Sequence, residues 1–283
     1  MQTTQELIAT LERHEPAVSR WKARSARALR FSAAACFGVM TLGLTAFATY
    51  LSGFYGRAAI QGQPEKWNDV LQVGYVPGDT AGNMALASHL AFGFIVTLAG
   101  VLQVLPWVRN HWPCFHRWSG RLFATSAAIA SLGGLYMIWA RGAAGDLSQH
   151  IAISINAVLI LTFTGLAWQR ARARRFDAHR RWALRLFLVV NAGWFFRIGL
   201  MLWLVVNRGP VGFDPKTFSG PFLTALAFAQ YLLPLALLEL YFRAQASRLA
   251  GARLAVAGVL SVTAVAMLGG AGAGAAMLWL PRL

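Results

Sequence analysis

Apolar residues in this chain do not alternate and do not follow a helical stripe; they run on almost without interruption. Seven such runs are long enough for a helix to cross ~30 Å of hydrocarbon, which takes about 20 residues. They lie near 32–52, 84–107, 118–139, 150–168, 181–206, 221–242 and 254–280. A β-barrel would alternate lipid-facing and lumen-facing residues, so continuous runs predict an all-α, polytopic membrane bundle of about seven spans. The first run has no A-x-A cleavage site close behind a short apolar stretch and reads as a retained helix. The pattern divides the chain into a polar, basic lead over 1–31 and a transmembrane domain over 32–283, with a histidine-bearing four-helix core at 84–206. Thr3-Thr4-Gln5-Glu6 has capping-box spacing and predicts a short amphipathic helix on the membrane surface in the lead.

Composition agrees: 57% of the 283 residues are hydrophobic and 13% charged. The net charge of +16 is not spread evenly. Nineteen of the Lys and Arg fall on the side of the first, third, fifth and seventh span starts, and six on the other. By the positive-inside rule the amino terminus is cytoplasmic and, with seven spans, the carboxyl terminus outside. The basic residues therefore read as topology signals and contacts to lipid headgroups, and no nucleic-acid partner is expected. The continuous apolar spans with this asymmetry predict a bacterial inner (plasma) membrane. Cys36 and Cys114 offer neither a disulfide framework nor a metal site. The connections near 53–83 and 207–220 are the long outer loops, and the first of them is the candidate lid or docking surface. The last span carries Gly270 and Gly274 in G-x-x-x-G spacing, which predicts close packing within the bundle or on another chain, a partner subunit or a second copy.

The core contains an internal repeat. Gly82 to Phe92 resembles Gly145 to Ile153, and in each a histidine, His89 or His150, opens an apolar run that reaches a tryptophan 18 residues later. Phe115-His116-Arg117-Trp118-Ser119-Gly120-Arg121-Leu122-Phe123 resembles Ala178-His179-Arg180-Arg181-Trp182-Ala183-Leu184-Arg185-Leu186-Phe187. Two such hairpins related by an axis along the membrane normal bring His89 to face His150 outside and His116 to face His179 inside. His14 and His111 lie outside the pattern.

Two readings of these histidines are open. Histidines beside Arg at helix ends serve as interfacial residues. Alternatively, paired imidazoles on facing helices supply the two axial ligands of haem b, with Arg117, Arg121, Arg180, Arg181 and Arg185 near the inner propionates and Arg57, Lys66 and Arg141 near the outer ones. Gly93, Gly100, Gly133 and Gly134 would leave room for a flat macrocycle. One or two haems would make the chain a membrane oxidoreductase or cytochrome b subunit that moves electrons between a quinol, or another small redox partner, and an acceptor. Zinc would need more ligands at one place than two histidines per face. Arg197 and Glu239 lie inside spans, where an unpaired charge is costly, and predict an ion pair joined by Asn156, Asn191, Gln103 and Gln230. They also motivate the alternative of a cofactor-free small-molecule permease or an assembly subunit of a larger membrane complex.

Gly100-Val101-Leu102-Gln103, the His116 to Phe123 segment, His179 to Arg185, Arg197 and Glu239 resemble the family of predicted bacterial membrane proteins called domain of unknown function 2306. That resemblance implies a polytopic membrane protein and brings no activity. The family has Tyr where Phe123 stands and Met near Ala183. The order of the histidines is also similar to cytochrome b-561, which implies His89 with His150 on an outer haem and His116 with His179 on an inner one.

Overall fold

The computed structural model describes the backbone of residues 4–143 and 145–283 and the side chains of residues 20–143 and 145–283. Its helices are α1 (Thr4–Tyr50), α2 (Arg57–Ile60), α3 (Thr80–Val104), α4 (Pro106–His111), α5 (Pro113–Ala140), α6 (Leu147–Arg172), α7 (Phe176–Val190), α8 (Ala192–Asn207), α9 (Pro221–Ala246) and α10 (Ala250–Gly274). Six stretches are apolar and long enough to span: Arg20–Ile60, Thr80–Val104, Pro113–Ala140, Leu147–Arg172, Pro221–Ala246 and Ala250–Arg282. The pair α7 and α8, bent by 50° at Asn191, makes a seventh when the two helices are counted as one broken span. The chain is therefore an all-α polytopic bundle, as its apolar runs predict. Leu42, Met84, Leu132, Val158, Val206 and Val262 are among the many exposed apolar side chains, and the bilayer covers them.

Several boundaries differ from the sequence expectation. α1 continues without a break through residue 31, so the basic lead and the first span form one helix; the capping-box side chains lie outside the described residues. The helical path then runs through a π-helical stretch, Leu51–Gly56, into α2, which shortens the outer loop to 61–79. α3 stops at Val104 because Pro106 disfavours the helical conformation of Leu105, whose φ and ψ are −69° and 116°. Trp107 therefore belongs to α4 and stacks on His111 at 5.1 Å. The hydropathy run continued through this turn because Pro and Trp do not interrupt an apolar window.

The chain forms two compact units. The first comprises 1–40 and 236–268, the second 41–235 and 269–283. In the first, Leu29, Ala244 and Leu260 form the core, Ser32 and Ser261 share a hydroxyl contact of 3.0 Å, and the Cys36 thiol donates to the Leu260 carbonyl. Glu239 belongs to this unit. In the second, α3 packs on α5, α5 on α6, α6 on α7, and α7 reaches α3. That ring puts α3 diagonal to α6 and α5 diagonal to α7, the order a two-fold axis along the normal requires. Phe123, Phe163, Leu186, Val189 and Tyr231 fill its middle. Gly270 packs within this unit: a Cβ there would collide with the Ile198 carbonyl of α8.

The bend in the fifth span is repaired by polar side chains. Asn191 donates from its backbone to Leu188, one residue short of a helical bond, and its side-chain amide donates 2.7 Å to the freed Phe187 carbonyl. Asn156 of α6 donates to the Val189 carbonyl at 3.2 Å. A span can break inside the bilayer only where such partners re-satisfy the backbone. Gln103 instead donates to Ser119, and Gln230 to Ala227, so these four amides serve separate local needs and not one network.

The outer connections are folded. The Asn68 amide pairs with both backbone groups of Tyr75, and the Asn83 amide pairs with both of Val76, each imitating a strand neighbour. Asp79 caps α3 by accepting from Gly82 and also forms an ion pair of 2.9 Å with Arg141. Arg141, 5% exposed, donates further to Gly82, Gly74 and Asn83. Arg141→Ala removes all four contacts and is expected to cost about 1–3 kcal/mol, since Asp79 keeps part of its solvation. Limited proteolysis will show the change as faster cleavage within 61–79. At the next cap, the Ser148 hydroxyl and the Gln149 N–H hold the Asp146 carboxyl below the usual carboxylate range. That cap therefore persists above the ordinary carboxylate pKa and is lost only as pH falls through the lowered one.

Candidate functional site

His116 and His179 each lie three residues into their helices, and α5 and α7 are diagonal in the ring. The structure brings them within electrostatic reach of one another. His179 is oriented by its own hairpin: its Nδ1 stands 2.9 Å from the Ala167 carbonyl of α6. A carbonyl only accepts, so Nδ1 carries the proton and Nε2 of the neutral ring holds the lone pair. His116 has a buried Nδ1 with no hydrogen-bond partner. A buried ring nitrogen without a partner costs about 1–3 kcal/mol, which a bound partner would offset.

The outer pair is arranged differently. α3 begins at Thr80, so His89 sits nine residues into its helix, roughly 13 Å from the start. Its Nδ1 donates 2.8 Å to the Ala130 carbonyl of α5, its ring lies along Gly134 and its Cβ along Gly133. His150 stacks edge-on to Trp139 at 5.7 Å and has a buried Nε2 without a partner. Measured on α5, His89 and His150 are thus about two turns apart, roughly 10 Å, and staggered along the bundle. The sequence repeat could not reveal this, because equal spacing in sequence ignores where each helix begins. In both layers one histidine is tied to a neighbouring carbonyl and the other keeps a buried nitrogen unpaired.

The cations also divide. Arg121 lies over the Trp118 ring and Arg185 over the Trp182 ring, each at 4.6 Å, so both copies of the repeat use the same cation–π stack. Arg117, Arg180 and Arg181 are exposed at the same end. At the other end Arg141 is committed to its loop, Arg57 donates to the Leu283 carbonyl, and Lys66 sits in the 3₁₀ turn Pro64–Asp69. Of the glycines expected to make room, Gly133 and Gly134 take the His89 side chain, Gly100 meets Phe123 and Phe187, and Gly93 faces open space.

The family motif residues interlock beside His116. Gln103 of α3 donates 2.7 Å to Ser119 of α5, which donates in turn to the Phe115 carbonyl, while Gly120 leaves room for the Gln103 amide. They hold α5 against α3 and so fix the helix that carries His116.

Arg197 has its partners within the second unit. Its Nη1 donates 2.8 Å to the Gly193 carbonyl, and its guanidinium lies 5.3 Å from the Phe47 ring centre. Sequence reasoning singled out Arg197 but missed the ring it lies over, Phe47, and the rings of Tyr50 and Trp279 packed on Phe47, because these residues share no spacing pattern. Among the described residues no group of three or more His, Cys, Asp or Glu side chains could hold a metal ion, and a bis-histidine haem site needs only two.

A family model described as a predicted membrane protein (DUF2306) matches residues 86–233. The matched range covers the four-helix ring, both inner histidines and Arg197, and ends before Glu239. No curated protein and no solved structure matches the chain.

Proposed function

This chain belongs to the DUF2306 family of predicted membrane proteins, and we propose from that starting point that it is a haem b-binding protein of transmembrane electron transfer, with one haem held between His116 and His179. The observation that carries the reading is the inner pair: two imidazoles on diagonal helices, within electrostatic reach, one of them oriented through Nδ1 with Nε2 left as a ligand. A hydrogen bond from Nδ1 to a carbonyl fixes the tautomer and raises the basicity of the ligating nitrogen. When bound, haem supplies a one-electron couple that the protein side chains lack.

Arg117, Arg180 and Arg181 supply the cationic end that propionates require. The tight core of Phe123, Phe163 and Leu186 keeps water from the apolar side. The stagger of His89 and His150 is the reason the reading takes one haem and not two: that pair would not hold a haem between them, whereas His116 and His179 would. The arginine-rich end is assigned to the cytoplasm of a bacterial inner membrane by the positive-inside rule. The donor is then a quinol or another small reductant reaching the bundle from the bilayer. Reduced-minus-oxidised spectra of the purified protein test this, with Soret and α bands and one haem per chain expected. Absence of both bands after expression with added haem precursor defeats the reading.

A further inference from the structure

Three irregular stretches of helix adjoin the side chains grouped near Phe47. The path of α1 becomes π-helical over Leu51–Gly56, that of α10 over Ala275–Trp279, and the fifth span breaks at Asn191. π-Helical insertions concentrate at functional sites, because each costs hydrogen-bond geometry that plain scaffolding does not need. Each stretch adjoins or carries a side chain of one cluster. Trp279 lies 5.5 Å from Phe47 and Tyr50 6.2 Å from it, Tyr55 stands edge-on to Tyr50 at 5.6 Å, and Arg197 lies over the Phe47 face. Trp194, one turn before Arg197 and on the same face of α8, packs against Gly43, one turn before Phe47 on α1.

The polar atoms of this cluster are nearly all donors. Arg197 has five N–H groups, of which one is bonded to Gly193, and no carboxylate pairs with it among the described residues. Trp194 and Trp279 are each 2% exposed, and both indole N–H groups lack an acceptor. Tyr50 and His89 stand within electrostatic reach of Arg197 and bring no negative charge. A guanidinium without a counter-ion inside a span is costly, and such residues mark functional sites. A ring face against the guanidinium, further rings packed on that ring, and donors without acceptors are complementary to a negative head on an apolar body.

We propose that Arg197, with the indole N–H groups of Trp194 and Trp279 and the rings of Phe47 and Tyr50, binds the anionic head group, carboxylate or phosphate, of an apolar ligand. The site uses none of the inner histidines, so it stands or falls separately from the haem reading.

Oleate is the probe, titrated into the full-length protein in an uncharged detergent and followed by tryptophan fluorescence and calorimetry. Saturable binding is expected, with at least about a tenfold loss of affinity in Arg197→Leu and no binding of oleyl alcohol, which has the same chain without the charge. Equal binding by Arg197→Leu of unchanged melting temperature, or equal binding of oleyl alcohol, overturns the proposal. Trp279→Phe keeps the ring and removes one donor, so it carries the test if Arg197→Leu does not assemble; unchanged oleate affinity in it also overturns the site. Competition between oleate and phosphatidylglycerol in nanodiscs identifies the source. Displacement of oleate supports the site with a lipid phosphate as its natural anion, and absence of displacement supports it with a free carboxylate.

Discussion

His179→Ala is expected to abolish the Soret band of the purified protein, whereas His116→Ala leaves a weakly held, five-coordinate haem with a high-spin spectrum. The difference follows from how each ring is held. His179 is locked by the 2.9 Å bond to the Ala167 carbonyl before any ligand arrives, so its Nε2 pays little entropy on coordination. His116 has no such partner on its buried Nδ1 and gains its orientation only on binding. Loss of the oriented ligand should therefore cost more, and loss of a supporting contact at such a site ordinarily changes affinity about 10–100-fold. His150→Ala leaves the spectrum unchanged, because His150 meets α5 at Trp139, far along the helix from His116. Electron paramagnetic resonance and haem extraction on the three variants check the order. Equal loss in His150→Ala and His179→Ala would show that the inner pair is not the site.

Gly120→Val is expected to lower stability by about 2–3 kcal/mol, the cost of overpacking combined with breaking a partly buried hydrogen bond. A Cβ at Gly120 would stand 2.8 Å from Gln103 Oε1 and displace the amide from Ser119. Thermal unfolding in detergent measures the loss. The mechanism is separable from a general intolerance of bulk in α5. In a Gln103→Ala background the space is already free, so Gly120→Val should cost clearly less than in the parent, a coupling a double-mutant cycle reads directly. Additive costs would mean that Gln103 is not what Gly120 accommodates. The same contact, with Gly100 against Phe123, makes the Gly100–Gln103 and Ser119–Phe123 segments one packing unit.

The two copies of the repeat show how far local sequence carries the structure. His-Arg, Trp and Arg recur near the start of α5 and of α7, and in both the Arg stacks on the Trp one turn or so before it at the same 4.6 Å. That relation is local, set by helical spacing, and so was readable in advance. The histidines are not local in this sense. Whether His89 and His150 are level depends on where α3 and α6 begin and on what each meets across the bundle. α3 begins nine residues before His89 and α6 only three before His150, a difference that no repeat length contains.

The expected partner of Arg197 illustrates the same limit. Its depth in an apolar run marked it as unusual, but the ring it lies over, Phe47, comes from α1, far from it in sequence. Arg141 was expected near the outer propionates, whereas the carboxylate it meets is Asp79, on another segment of the chain.

The amino-acid sequence by itself determined that this is a helical membrane protein, roughly where its spans lie, which residues repeat and which end of the bundle is basic. Those properties depend on hydrophobic length, charge count and helical period, all of which are additive along the chain. Only the tertiary structure decided that the inner histidines lie on diagonal helices within electrostatic reach while the outer ones meet α5 at different levels, that the fifth span bends at Asn191, and that Arg197 lies over the Phe47 ring. These depend on which helix faces which, and that is set by contacts between segments far apart in sequence, chiefly small residues, freed carbonyls and the side chains that find them.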